Sequence, residues 1–207
     1  MRRSVRVTNH RKIAPMTTAL VLLCLCAPML NAQAVSAAPQ KYTPDFAITY
    51  TAEHANPLGG SGNFWLQGGS VEVGVPIWQD LALAGNFTGT HASSVGSQNV
   101  ALGLLAYTFG PRYRYSLKNL KGEPVSIFGE VLLGGVKGFD SLFPNSTGAT
   151  STASAFAMQA SLGFDLKLMR HIGLRPLEAS WVRMQLPNGT SNTQNDLRLS
   201  SGIVLHY

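Results

Sequence analysis

The chain has 207 residues, of which 45% are hydrophobic and 13% charged, about half the roughly 25% charged content of an ordinary soluble domain. The length suits one domain, and the plentiful aliphatic and aromatic residues exclude a disordered chain. The formal net charge of +6 is no signal for nucleic acid, because Arg2, Arg3, Arg6, Arg11 and Lys12 supply five of the sixteen basic residues with no acid among them. Without those five the chain is close to neutral, and a nucleic-acid binder needs a basic face on its folded part.

Residues 1–34 read as a secretory signal peptide: basic residues to Lys12, an apolar stretch from Met16 to Leu30, then Ala32-Gln33-Ala34 as a small-residue cleavage match. A second cleavage point follows Ala37. Thr17, Thr18 and Pro28 interrupt the stretch, which is shorter than the about 20 apolar residues of a membrane-spanning helix. Both cysteines, Cys24 and Cys26, lie inside it, each preceded by leucine where a lipoprotein signal carries a small residue. The exported chain therefore has no disulfide, thiolate chemistry or cysteine metal site. Residues 35–44 form a periplasmic N-terminal segment, and 45–207 a single β domain.

From residue 45 the dominant pattern is alternation with period two, the signature of strands with one apolar face. Near its start, Phe46, Ile48 and Tyr50 oppose Ala47, Thr49, Thr51 and Glu53. Val71, Val73, Val75 and Ile77 oppose Ser70, Glu72 and Gly74 in the next segment. Phe156, Met158, Ala160, Leu162, Phe164 and Leu166 alternate with Gln159, Ser161, Asp165 and Lys167. At the end, Leu197, Leu199, Ser201, Ile203, Leu205 and Tyr207 alternate with Asp196, Arg198, Ser200, Gly202, Val204 and His206. The pattern predicts eight strands, about 45–55, 68–77, 81–91, 99–115, 125–137, 155–168, 172–186 and 195–207. An even number is what a closed antiparallel meander with both ends on one side requires.

The connections alternate in length. Those after the second and sixth strands are tight, 78–80 and 169–171, and 116–124 is intermediate, with Lys118, Asn119, Lys121 and Gly122. The others, 56–67, 92–98, 138–154 and 187–194, are rich in Gly, Ser, Asn and Thr. Short turns at one rim and long polar loops at the other are the layout of barrels that cross outer membranes.

The chain ends on an aromatic residue, Tyr207, preceded by apolar residues at alternate positions, Leu205, Ile203 and Leu199, with Ser201 departing from the pattern. Together with Phe109-Gly110-Pro111-Arg112-Tyr113, this resembles the small eight-stranded outer-membrane β-barrels, the group of the outer membrane protein A membrane domain, the X and W outer membrane proteins and the opacity-type surface proteins. The resemblance implies an all-β, eight-stranded antiparallel up-and-down transmembrane barrel in the outer membrane of a Gram-negative-type bacterium, exported by its signal peptide. It implies contact with outer-membrane lipid and lipopolysaccharide. It also implies handling by periplasmic chaperones and the barrel assembly machinery, with Tyr207, Leu205, Ile203 and Leu199 as the assembly signal. No nucleic acid, metal or cofactor is expected, and the chain is expected to be a monomer.

Alternation does not say which face points inward, because a lipocalin-like barrel has apolar residues inside and an outer-membrane barrel has them outside. Phe46, Trp78, Tyr113, Tyr115 and Tyr207 map to the short-turn rim and Phe64, Trp65, Phe87, Phe139 and Trp181 nearer the other, as interfacial girdles do. The charges weigh further: Glu53, Glu72, Arg112, Arg114, Glu130, Asp165, Lys167, Asp196 and Arg198 fall on the polar face, where an enclosed lumen lets them neutralise one another. Alternation breaks at Arg175-Pro176, which predicts a β-bulge, since proline cannot donate to the ladder. The bulge puts Arg175 and Glu178 inside and Leu177, Ala179 and Trp181 outside. Eight strands leave a bore that side chains fill, which favours a plug over an open pore, with a narrow or gated channel as the alternative.

Some barrels of this size edit lipid A acyl chains, so nucleophile and base pairs need inspection. His91 and Ser93 share one face of a strand at the right spacing, but the acid needed about a dozen residues on is replaced by Gly103-Leu104-Leu105. His54, His171 and His206 are not spaced as metal ligands, and no glycine run has a phosphate-loop context. In the third long loop, Phe139, Leu142 and Phe143 stand among polar residues and serve either as a lid over the barrel mouth or as an anchor for a partner.

Overall fold

The computed structural model describes residues 44–55, 63–95, 99–120, 123–146, 148–188 and 192–206, the side chains of 118–120, 123 and 124 excepted. The expected signal peptide, the segment to residue 43, and Tyr207 lie outside the described residues.

Eight long strands close into one antiparallel barrel: β1 (Asp45–Ala55), β2 (Phe64–Trp78), β3 (Leu81–Val95), β4 (Val100–Leu120), β5 (Glu123–Phe139), β8 (Ala153–Lys167), β9 (Ile172–Met184) and β10 (Gln194–His206). The two short strands β6 (Phe143–Asn145) and β7 (Gly148–Thr150) form a separate hairpin in the third long connection. Each long strand pairs with its neighbours in sequence, and β1 pairs β10, with Asp45 opposite His206 and His54 opposite Leu197, to remove the sheet edges.

The strands are longer than the alternation predicts at three places. β2 begins at Phe64 and not at residue 68, because Phe64 and Leu66 turn inward onto an apolar cluster that the glycines after them conceal in the sequence. β3 runs on to Val95. The intermediate connection 116–124 is corrected to strand over most of its length: β4 continues to Leu120, which pairs Glu123 of β5, so the polar residues there extend the hairpin.

Side chains alternate with apolar groups outward. Ile48, Val71, Phe87, Leu133, Leu162 and Ile203 are all exposed on the outer wall, while Thr51, Glu53, Glu72, Arg112, Arg175 and Arg198 are buried inside. Such a surface suits hydrocarbon and not water. At the short-turn rim Trp78, Tyr113 and Tyr115 project outward as an aromatic girdle.

Register shifts against both neighbours place the bulge at Arg175-Pro176. Glu178 and Arg175 pair Ser200 and Gly202, with two β9 residues opposite one of β10, and β8 shows the same step between Phe164 and Leu166. Proline thereby sits where no ladder bond is lost, and the extra residue leaves Arg175 and Glu178 both buried with Leu177 and Trp181 outside.

Candidate functional site

The lumen is built in three layers. Nearest the short turns, β4 supplies Arg112 and Arg114, β1 Asp45, β2 Glu72, β5 Glu130, β8 Asp165, and β9 Arg175 with Glu178. Arg112 donates to Glu130 Oε2 from Nε (2.9 Å) and Nη2 (2.7 Å), pairs with Glu72 Oε1 at 2.5 Å and reaches Asp45 at 3.3 Å. Arg175 grips Asp165 with two nitrogens, at 2.8 and 3.3 Å, and its Nη1 donates to both Glu72 (2.7 Å) and Glu178 (2.8 Å). Arg114 bridges Asp45 and Asp165 at the rim. Asn86 donates to Glu72 and Ser180 to Glu178, satisfying their second oxygens.

Five carboxylates thus face three guanidiniums in one buried network. Fixed geometry and shared hydrogen bonds are what make burial of so many charges tolerable. Glu130 Oε1 is the network's one carboxylate oxygen left without a hydrogen-bond donor. The nearest ligand atoms of Glu72, Glu130 and Glu178 lie within 4.8 Å of one another. Arg112 and Arg175 already occupy oxygens of all three, so the arrangement is an ion-pair cluster and not a preformed cation cage. Beneath both arginines lies Phe128, 1% exposed, whose ring centroid is 5.0 Å from the Arg112 guanidinium carbon and 4.2 Å from that of Arg175. Gly163 on β8 makes the room: a Cβ there would stand 2.5 Å from Phe128 Cζ.

The middle layer is a single pair with polar neighbours. Arg198 donates to Glu53 Oε2 from Nε at 2.9 Å and to Gln159 at 3.1 Å, and Gln159 donates to Ser161 at 2.9 Å. Thr51 and Ser200 hydroxyls meet at 3.1 Å across β1 and β10. Asp196 is buried beside this layer.

At the long-loop end the lumen turns apolar. Leu66, Leu104, Val136, Val182 and Met184 point inward, and Phe143, carried in by the β6–β7 hairpin, is fully buried among them. Gly138 is its seat, since a Cβ there would collide with the ring. Among the described residues a void of about 20 Å³ lies between Leu102, Met184 and their neighbours, room for about one water molecule. Phe143 thus fills part of the lumen at its long-loop end, while Leu142 beside it is exposed.

Of the residues singled out in the sequence, Glu53, Glu72, Arg112, Arg114, Glu130, Asp165, Arg175, Glu178 and Arg198 join these clusters. Lys167 does not: it is exposed at the end of β8, where the lumen opens to water, and forms no ion pair among the described residues. Asp45 was not singled out, although it shares a face with Glu53 at an even spacing. The inward Leu and Val residues were also missed, because a polar lumen was assumed along its whole length. His91 and Ser93 both face outward on β3, and the residues across from His91 are Gln67 and Gly103, neither an acid. Leu199, Ile203 and Leu205 lie on the outer face of β10.

No family model and no curated protein sequence matches the chain. Its fold is that of solved eight-stranded outer-membrane barrels. The Neisserial surface protein A structure is 13% identical with a TM-score of 0.56, covering 79% of this chain and 97% of that one. The attachment invasion locus protein Ail of Yersinia pestis, solved with the heparin analogue sucrose octasulfate, is 15% identical with a TM-score of 0.52, covering 81% and 100%. Outer membrane protein OprG of Pseudomonas aeruginosa is 11% identical with a TM-score of 0.51, covering 80% and 97%.

Proposed function

We propose that this chain is an outer-membrane barrel with a sealed lumen, whose role is structural or one of surface interaction through the loops at its long-loop end. The observation that carries this reading is the filling of the bore by two seals in series, the arginine–carboxylate network over Phe128 and the apolar cap closed by Phe143. A water-filled diffusion path needs an unobstructed polar bore, and neither layer provides one. Leu199, Ile203 and Leu205, with Tyr207, serve as the signal to the assembly machinery. Lipopolysaccharide surrounds the long-loop half, and the protein acts as a monomer without cofactor or metal.

The alternative is a narrow or gated channel. It is favoured by Glu72, whose Oε1 accepts from both Arg112 and Arg175 and is therefore free to change partners without becoming unpaired. A lipid A-modifying enzyme has less to support it, since His91 and Ser93 lack an acid across the strand.

Single-channel recording of the refolded chain in a planar bilayer tests the reading, with heat-shifted gel mobility as the control for folding. Folded protein without conductance steps supports a sealed barrel. Stable steps in folded protein overturn it in favour of the channel.

A further inference from the structure

The lower layer of the lumen is not electrically balanced. Asp45, Glu72, Glu130, Asp165 and Glu178 face Arg112, Arg114 and Arg175, which leaves two negative charges in excess inside the bore. Lys167 is exposed at the end of β8, and His206, opposite Asp45 on β10, is half-buried at the mouth. In the layer above, Glu53 and Arg198 pair with each other. Asn86, which β3 contributes beside Glu72, carries no charge.

The excess is concentrated at Glu130. Arg112 gives both of its bonds with this residue to Oε2, and Oε1 has no donor. Each of the other four carboxylates accepts from at least two residues: Asp45 from Arg112 and Arg114, Glu72 from Arg112, Arg175 and Asn86, Asp165 from Arg114 and Arg175, and Glu178 from Arg175 and Ser180. Every nitrogen of Arg112 and Arg175 is engaged in these bonds, and Phe128 lies against both guanidiniums. Neither arginine therefore has a donor left for Glu130 Oε1.

Oxygens of Glu72, Glu130 and Glu178 lie within 4.8 Å of one another, and carboxylates packed so closely resist ionising together. A metal ion fits this excess poorly. Magnesium and calcium take about six or more oxygens, whereas these three residues offer one bare oxygen beside two guanidiniums. A proton needs one oxygen and no added space.

We propose that the lower layer of the lumen binds one proton, at Glu130 Oε1. The bare oxygen becomes a hydroxyl aimed at the carboxylates of Glu72 and Glu178, and the excess falls from two charges to one. Unfolding releases the proton, since a solvated glutamate ionises at about pH 4.3. Above that pH the folded chain holds one proton more than the unfolded chain, so stability falls as pH rises until the folded chain loses it too. The lower seal is accordingly tightest in mildly acidic surroundings. The inference does not depend on whether the lumen conducts or on what the loops touch.

The test is nuclear magnetic resonance of the refolded chain in lipid nanodiscs, labelled with carbon-13 glutamate, with heat-shifted gel mobility as the control for folding. The five glutamates, Glu53, Glu72, Glu123, Glu130 and Glu178, each give one side-chain carboxyl signal, and the signal missing from Glu130→Gln is that of Glu130. At about pH 6 Glu130 is expected at the position of a carboxylic acid and the other four at that of carboxylates. Glu53 is the internal comparison, since its Oε1 is equally bare but it stands outside the group of three. Urea unfolding in lipid vesicles reads the linkage: from about pH 5 upward the unfolding equilibrium constant should rise by up to about tenfold per pH unit. Glu130→Gln should flatten that rise and His206→Gln should keep it. A Glu130 signal at the carboxylate position down to about pH 5 overturns the proposal, as does an acid signal from Glu53, Glu72 or Glu178 in its place. A pH dependence of stability that survives Glu130→Gln overturns it too. So does an ionised Glu130 whose signal moves when a chelator is added, which assigns the compensating charge to a metal ion.

Discussion

The guanidinium of Arg175 lies 4.2 Å from the ring centroid of Phe128, a residue of another strand, and Arg112 lies over the same ring at 5.0 Å. One aromatic side chain therefore supports both cations that hold the lower network together. Carboxylates bind the guanidiniums at their edges, and the ring accepts a face that would otherwise be desolvated without compensation.

Replacing Phe128 should show this dual role. Phe128→Ala removes packing and ring together and is expected to cost about 3–5 kcal/mol of unfolding free energy. Phe128→Leu keeps most of the volume and is expected to cost about 1–2 kcal/mol, the part owed to the cations. Urea unfolding in lipid vesicles, followed by tryptophan fluorescence, measures both. A full loss in Phe128→Ala beside no loss in Phe128→Leu would mean that the ring acts as packing alone.

The network is asymmetric in what it tolerates. Arg175 serves three carboxylates, Glu72, Asp165 and Glu178, so Arg175→Gln strands buried charge and is expected to destabilise by about 3–5 kcal/mol. Glu130→Gln should cost about 1 kcal/mol or less. Glu130 Oε1 has no donor to lose, and five acids face three arginines, so removing one negative charge relieves repulsion. The same unfolding assay ranks the two variants. A larger loss for Glu130→Gln would show that the excess negative charge is compensated by something bound in the lumen.

The barrel was legible in the sequence because its two faces meet different media, and every strand must then repeat with period two. Leu197 to Leu205 against Asp196 to Val204 needed nothing more than counting. Arg175-Pro176 was legible for a backbone reason, since proline cannot donate to the ladder and the alternation of charge and apolar residue breaks there; Pro111 on β4, where the alternation runs on, keeps its register. The layering of the lumen was not legible. Inward Leu104 and outward Leu105 are the same residue type on adjacent positions, and only closure of the sheet sets Leu104 against Val136 and Phe143. Pairing was equally hidden: Glu72 and Arg175 are a hundred residues apart in sequence and meet only because the ladder climbs as it turns. Strand ends failed where the polar residues Lys118 and Asn119 carry the β4–β5 hairpin on to the pair Leu120 and Glu123.

Gly163 gives a coupling that can be measured. An added methyl would stand 2.5 Å from Phe128 Cζ and 3.2 Å from Glu178 Cβ, so Gly163→Ala is expected to cost about 1–3 kcal/mol through overpacking. In Gly163→Ala with Phe128→Leu the smaller side chain yields the space. The double variant should then be more stable than the sum of the two single losses predicts, by about 1 kcal/mol. Strict additivity would place the strain in the backbone and not against the ring.

The two seals predict an order of effects on conductance. Phe143→Ala removes the cap but leaves Arg112, Arg175 and their carboxylates in place, so the refolded barrel should remain silent in a planar bilayer. It should nevertheless gain a cavity among Leu104, Val136 and Met184, and cavities lined by such side chains stay dry and take up small apolar molecules. An apolar fluorophore should therefore bind Phe143→Ala and not the wild type. Adding Arg112→Ala removes the residue that ties Asp45, Glu72 and Glu130 across the bore, and the combined variant is expected to show conductance steps that Arg112→Ala alone does not. Steps from Phe143→Ala alone would mean that the charged layer is already a path for ions and that the aromatic cap is the only seal.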